Sequence, residues 1–363
     1  MIIIYCLAGG YAAILFFFLI GIFLIRKSQP SENQKISVII AARNEEKNLP
    51  GLLTILTQQN YPQENYEIII ADDRSNDATS EIVEKWQKDF LNITLVRVKT
   101  ENPQLVGKKG AITAAVAAAR FSILAFTDAD CLPTQNWLKE INKHFDQHTD
   151  FVAGYSYLTQ KNLFFELLKN LERSAIFAVS SGAIGYNWGV TCTAANLAYR
   201  KEIFTKAGGF SGIGHIRSGD DDLMLQKISK YLRSMKFMFS RDSVILSEGS
   251  ATGRQQINLE TRRGSKWKYY PLSIKLITLL VMLFYLSYVY LLGGCIIGAF
   301  SWNLFLMITC LKIIPEFLLL FVFLWKMHRF GLLLLLPIAE LIYIPYFIFF
   351  GLKGTFGKYK WKE

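Results

Sequence analysis

The chain sets long uncharged runs at its two ends around a polar middle, in which short apolar stretches alternate with amphipathic ones. Residues 2–25 carry no charged side chain. That run exceeds the ~20 apolar residues needed to cross the hydrocarbon core of a bilayer. Nothing basic precedes it, as a cleaved signal peptide would require, and Arg26 and Lys27 follow directly. The pattern predicts an uncleaved N-terminal anchor with residue 26 onward facing the cytoplasm. Residues 276–311 are again free of charge. They are too many for one span, and Gly293-Gly294 and Ser301-Trp302-Asn303 predict a turn between two helices. Spans are expected near 276–299, 303–325 and 331–351. The last contains Pro337, Glu340 and Pro345 and either crosses or re-enters.

In the middle, Ile36–Ala42, Glu67–Ala71, Ile93–Val98 and Ile123–Thr127 read as buried strands. Between them, Glu45–Gln59, Asp77–Phe90 and Lys109–Arg120 repeat apolar residues at helical spacing. This alternation predicts a parallel sheet with helices on both faces. Ligands of such sheets bind beyond the carboxyl ends of the strands. Asp72-Asp73 and Asp128-Ala129-Asp130 both stand at such ends.

Composition narrows the class. Of 363 residues, 52% are apolar and 19% charged, which excludes a disordered chain. The charged share also falls below that of an ordinary soluble domain. The net charge of +11 suits an anionic leaflet and an anionic ligand, with no need for nucleic acid. The cysteines, at 6, 131, 192, 295 and 310, form no CxxC pair, so neither a disulfide scaffold nor a structural zinc site is expected. Free thiols fit a reducing cytoplasm. Lys312 and Glu316 share a helix face inside an apolar run, either as a structural ion pair or as a functional site.

The carboxylates carry the candidate chemistry. Asp128 and Asp130, two apart after a strand, can converge on one hard cation such as Mg²⁺ or Mn²⁺, or they can shape a turn. Asp72 and Asp73 can accept from a nucleobase or a ribose hydroxyl, or again serve a turn. Ser218-Gly219-Asp220-Asp221-Asp222-Leu223 opens a helical pattern over 222–232. Acids are favoured at a helix start, but three in a row crowd one another and raise the pKa of at least one, suiting it to take a proton.

Taken in order, ISVIIAARNEEKNL, EIIIADDRSNDAT, GKKGA, TDADC, NLAYRKEIF…GGF and SGDDDL resemble a membrane-bound family 2 glycosyltransferase with the GT-A fold. The resemblance covers about residues 34–270. It implies an inverting, Mg²⁺- or Mn²⁺-dependent transfer from a nucleoside-diphosphate sugar to a lipid or lipid-linked acceptor. By the same resemblance Ala42, Arg43 and Glu45 line the nucleotide pocket, and Asp72 and Asp73 hold the base and ribose. Lys108 reaches the sugar or diphosphate, while Asp128 and Asp130 hold the metal, Asp130 more directly. Asp220 is the implied general base, with Asp221 the second candidate because Gly219 replaces the usual Glu. Cys192 and Asn196 are expected on the acceptor side. Polymer synthases of this family carry Gln-x-x-Arg-Trp in an interfacial helix, where this chain has Leu259-Glu260-Thr261-Arg262-Arg263. Only Arg262 matches, and it is expected to contact the diphosphate. The expected organisation is an anchor (1–25), a cytoplasmic GT-A domain (26–253), a basic interfacial segment (254–275), membrane helices (276–352) and a basic tail (353–363).

Overall fold

The computed structural model describes residues 1–27, 33–159, 163–249 and 253–356. Most of the basic tail, with Lys358, Lys360 and Lys362, lies outside them. The elements run α1 (Ile2–Leu24), β1 (Ile36–Ala42), α2 (Leu49–Thr57), β2 (Tyr66–Asp72), α3 (Thr79–Asp89), β3 (Ile93–Arg97), α4 (Lys108–Ala118) and β4 (Ile123–Phe126). Then come β5 (Cys131–Leu132), α5 (Trp137–His144), β6 (Phe151–Ala153), β7 (Ser156–Leu158), α6 (Leu163–Gly185), β8 (Leu197–Arg200) and α7 (Lys201–Lys206). The chain closes with α8 (Asp222–Ile228), β9 (Met235–Phe237), β10 (Ile245–Ser247), α9 (Gly253–Ser265), α10 (Leu272–Ile296), α11 (Trp302–Lys326) and α12 (Leu336–Phe356).

Two compact units divide the chain: residues 25–159 with 184–249, and residues 1–24 with 160–183 and 250–363. The first is built on a seven-stranded sheet of order β3-β2-β1-β4-β8-β6-β9. β1 pairs in parallel with β2 and β4, and β2 with β3, as the strand–helix alternation predicts. The expectation of an all-parallel sheet is corrected at β8, which runs antiparallel to both β4 and β6. Between β4 and β8 the chain passes through β5, α5, β6, β7 and α6 rather than one crossover helix, so β8 is not held to the parallel sense. β1 and β2 are buried almost throughout, because helices cover both sheet faces and leave no polar side. The predicted α2 face forms as expected, with Leu49, Leu52, Leu53 and Leu56 all fully buried. A small sheet, β5-β10-β7, adds a second layer beside Asp128–Cys131.

One ion pair of this unit sets an acid limit on its stability. The Asp146 carboxylate accepts from Lys236 Nζ at 2.7 Å, and from His148 N and Thr149 N, each at 2.9 Å. Burial works against its charge, but Lys236 and these donors outweigh it and hold Asp146 well below its ordinary 3.8. A lowered folded-state pKa adds stability that is complete above about pH 4 and drains away as pH falls toward the folded value. Asp146→Asn is expected to cost about 1–2 kcal/mol at pH 7, with a gap from wild type that narrows below pH 4. Unfolding of the detergent-solubilised chain across pH checks this; a gap unchanged at pH 3 would refute it.

The second unit is helical. Four of its helices, over 2–24, 272–296, 302–326 and 330–355, are long and apolar enough to cross a bilayer. The first C-terminal one starts at Leu272, four residues before the expected 276, with Pro271 at its N-cap. α1 packs against α10 and α11, and α9 against α12. Gly182 of α6 comes so close to α1 that an added Cβ would lie 2.2 Å from the Phe18 carbonyl. α6 corrects the expected boundaries, since a helix inside 26–253 belongs mostly with the apolar ends. Its polar face hides the fact from a simple hydropathy scan: Lys169 Nζ meets Glu172 at 2.8 Å, Tyr346 Oη at 2.6 Å and Glu260 at 3.3 Å.

Candidate functional site

Backbone bonds fix the rim on which the site stands. Asp73 N donates to Ala42 O at 2.8 Å, and Thr127 N to Ile39 O at 3.4 Å. The carboxyl ends of β2, β1 and β4 therefore lie side by side, and Asp72, Asp73 and Asp128 share one edge of the sheet.

The loops after β1 and β2 lock together. Asn44, in the left-handed region at φ 56°, donates its N–H to Ser75 Oγ and accepts from Asn76 N. Glu46 N donates to Asp77 Oδ2, and Ala78 N to Glu46 Oε2. Asn44, Glu46, Asn76 and Asp77 line one open cleft. Among the residues expected to line a nucleotide pocket, Ala42 is buried at the strand end, Arg43 is exposed, and Glu45 accepts from Asn48 Nδ2 at 2.7 Å. Asp72 is committed to its turn, accepting from Ser75 N at 3.0 Å and from Ser80 Oγ. Asp73 is held by Arg74 Nε at 2.9 Å, and Arg74 also reaches Glu101.

Beside this edge, Lys108, Asp128 and Asp220 surround one cavity. Lys108 Nζ meets Asp128 Oδ1 at 2.6 Å. Burial alone would weaken the Lys108 ammonium, but Asp128, Asp220 and Asp130 outweigh it and raise its pKa. Asp220 is shifted up from the ordinary carboxylate value, first by burial, then by the adjacent Asp221, with Lys108 opposing. A carboxylate with a raised pKa is the better proton acceptor.

The helix start distinguishes the three acids. Asp221 is the N-cap of α8 and accepts from Asp222 N at 2.7 Å. Asp222 is buried and accepts from Leu223 N at 2.8 Å. Only Asp220 of the three lines the cavity. Gly219 has φ 83°, and a Cβ there would lie 2.4 Å from Leu223 Cδ1. This backbone leaves little room for a side chain, so a glycine here follows from the turn. Sequence reasoning missed Lys109, which is buried and donates to Ile216 O, and to Ser218 O at 2.9 Å. It anchors the loop that ends in Asp220; the only sequence signal was a second lysine at the start of α4.

Asp128, Asp130 and Cys131 place one ligand atom each within 4.8 Å of one another. Burial, then the charges of Asp128 and Asp130, push the Cys131 thiol well up. The available donors are thus two carboxylates, one half-buried and one exposed. That set fits a hard cation such as Mg²⁺ or Mn²⁺ better than a thiophilic one.

The two residues expected on the acceptor side are both buried. Asn196 is fully buried, accepts from Trp137 Nε1 at 3.0 Å, and donates to Tyr155 O and Ser243 O at 2.9 and 2.7 Å. It staples three segments together, and no amide atom remains for a ligand. Cys192 is likewise buried. Arg262 stands on α9, in the helical unit, where its carbonyl accepts from Ser265 Oγ.

Residues 37–208 match the sequence profile of the family described as Glycosyl transferase family 2. The glycosyltransferase AglE of Haloferax volcanii is 32% identical over 128 residues, 35% of this chain and 41% of that protein. The 4,4'-diaponeurosporenoate glycosyltransferase of Staphylococcus haemolyticus is 39% identical over 105 residues, 29% of this chain and 26% of that protein. The matched segments span less than half the length of these relatives. The solved mannosyltransferase PcManGT of Pyrobaculum calidifontis, in complex with GDP-Man and Mn²⁺, aligns with TM-score 0.57 and 16% identity. That alignment covers 97% of each chain and speaks for the fold alone. Residues 37–208, with their acidic strand ends and this sheet order, are thus similar to the family 2 glycosyltransferases.

Proposed function

We propose that the protein transfers a sugar, with inversion, from a nucleoside-diphosphate donor to a lipid or lipid-linked acceptor at the cytoplasmic face of a cell membrane, within envelope glycan or glycolipid synthesis. The observation that carries the reading is the convergence of Lys108, Asp128 and Asp220 on one cavity beyond the strand ends. The interlocked loops around Asn44 and Asp77, with Asp73, provide a polar seat for the nucleotide. The four long apolar helices favour an acceptor that resides in lipid. Arg26 and Lys27 after α1, and Lys326, His328 and Arg329 after α11, favour a cytoplasmic catalytic unit.

In this mechanism the acceptor oxygen attacks the anomeric carbon on the face opposite the diphosphate. Its proton passes to a carboxylate oxygen of Asp220, and the bond between sugar and diphosphate breaks. Lys108, charged throughout, offsets the charge gathering on the departing oxygens. Asp128 and Asp130 would hold Mg²⁺ or Mn²⁺, which when bound supplies further positive charge to the diphosphate. Lys108, paired with Asp128 at 2.6 Å, stands where it would also reach the donor diphosphate.

Donor hydrolysis by the purified full chain, screened over uridine and guanosine diphosphate sugars, tests the reading. One donor should be hydrolysed only with divalent cation present. Asp130→Ala should lose both hydrolysis and the metal-dependent part of nucleoside diphosphate binding, by at least ~10-fold, in line with loss of a metal ligand. Full activity in excess chelator would overturn the role of Asp128 and Asp130.

A further inference from the structure

Thr127 joins β4 to Asp128, and its hydroxyl is unexplained. The residue is 3% exposed, and Oγ1 has no hydrogen-bond partner among the described residues. Burying a hydroxyl without a partner costs about 1–3 kcal/mol, and native interiors rarely leave one so. Thr127 is not packed in the core. It lines the same cavity as Lys108, Asp128 and Asp220, with Ile112 and Phe126 among the apolar walls. The charged side chains reach solvent, at 42% exposure for Lys108 and 27% for Asp128. Thr127 therefore borders the apolar side of a cavity whose other side carries the charged groups.

We propose that Thr127 Oγ1 is the hydrogen-bond partner of one hydroxyl of the transferred sugar, and so a determinant of which sugar is accepted. The inference rests on the proposed function and goes one step further, to the donor's sugar. Three observations select a hydroxyl. The cavity measures about 20 Å³, which is room for one water-sized group. A sugar hydroxyl matches that space, while the larger charged groups of the donor belong at the open side with Lys108. The neighbouring walls are apolar, so a charged oxygen would lose its solvation there, whereas Lys108 already waits for charge farther out. A threonine hydroxyl both donates and accepts, so it can serve a sugar hydroxyl in either sense. Discrimination follows from polarity: a site built around a buried polar group rejects a ligand that leaves the group unpaired more strongly than an apolar pocket rejects an extra methylene.

The test compares Thr127→Val, which keeps the shape and removes the hydroxyl, with Thr127→Ser, which restores it. Binding to the full chain in detergent is measured by calorimetry with two probes: the nucleotide sugar selected in the donor screen, and its nucleoside diphosphate alone. Thr127→Val is expected to weaken the nucleotide sugar about 3–10-fold, the equivalent of one neutral hydrogen bond. The diphosphate alone should bind as to wild type, and Thr127→Ser should recover the nucleotide sugar. Among monodeoxy donors, one should bind wild type with the same loss and lose nothing more on Thr127→Val. Wild-type affinity of Thr127→Val for the nucleotide sugar would overturn the proposal, pointing to a single ordered water as the partner of Thr127; donor hydrolysis by wild type would still stand. Equal weakening of sugar and diphosphate would also overturn it, as a general packing effect. If wild type binds no nucleotide sugar better than the diphosphate, both this inference and the proposed function fall.

Discussion

Asp220→Asn is expected to lower turnover by ~10²–10⁴-fold, the usual contribution of a well-placed general base, while donor affinity stays within a few-fold. Asn keeps the size and hydrogen bonding of the side chain and removes its basicity, so the substitution tests proton transfer and not packing. The expectation follows from the division of labour at the start of α8. Asp221 is occupied as the N-cap and Asp222 is buried, which leaves Asp220 on the cavity. Asp221→Asn makes the informative contrast. It keeps a capping oxygen, since Asn and Asp cap about equally well, and removes the second cause of the raised pKa of Asp220. With that neighbouring charge gone, the Asp220 carboxylate loses its proton at lower pH, so the acidic limb of kcat/KM should move to lower pH while the plateau survives. Steady-state kinetics across pH decides the matter. Collapse with Asp221→Asn but not with Asp220→Asn would shift the base by one residue. Full turnover in both would indicate an acceptor already ionised at neutral pH, such as a lipid phosphate, which needs no base.

Lys312→Met is expected to destabilise the helical unit by about 3–5 kcal/mol, the cost of leaving a buried charge without its partner. Lys312 is 2% exposed; it donates to Glu316 at 2.8 Å and also bonds Glu340. Tyr11 donates to Glu316 and lies 3.1 Å from Tyr285 Oη. The cluster thus draws one or more side chains from α1, α10, α11 and α12. Of the two alternatives open in the sequence, the geometry favours the structural ion pair, extended into a network. Removal of the ammonium leaves two carboxylates facing each other in an apolar surround. Thermal unfolding in detergent should fall by on the order of 10 °C, given roughly 2–4 °C per kcal/mol for a unit of this size. Adding Glu316→Gln and Glu340→Gln to Lys312→Met should restore most of the loss. An unchanged midpoint for Lys312→Met alone would show that the network adds nothing to stability.

The legible parts of the fold are those where one physical signal dominates. β1, β2 and β4 are continuous apolar runs because both faces are buried, and α1 and the three C-terminal helices are apolar nearly throughout. The acids at strand ends were readable for the same reason: polar residues that follow a buried strand mark where the chain leaves the core. The sequence is ambiguous where one residue type serves two purposes. Asp72 and Asp73 are alike in sequence, and only the positions of Ser75, Ser80 and Arg74 assign one to the turn. Asn196 looks like a ligand residue until Trp137, Tyr155 and Ser243 are seen around it, and all three are far from it in the chain. β8 was passed over because four residues carry too little periodicity to signal a strand. α6 was missed because its polar side resembles that of a solvated helix, while its partners lie about 90 and 177 residues farther on.

The network around Lys312 also sets an order of assembly. Tyr11 is separated from Tyr285 by 274 residues. At a synthesis rate of ~5–20 residues per second, α1 emerges tens of seconds before its partners exist. What it brings to the network is a phenol, a group that can wait in lipid at small cost. The expensive charges arrive late and nearly together, since Lys312 and Glu340 are only 28 residues apart, and each can be neutralised within seconds of its synthesis. A chain cut before α10 would keep α1 and α6 but lose every partner of Tyr11 in this network, so the last hundred residues complete the network that the first twenty-four begin.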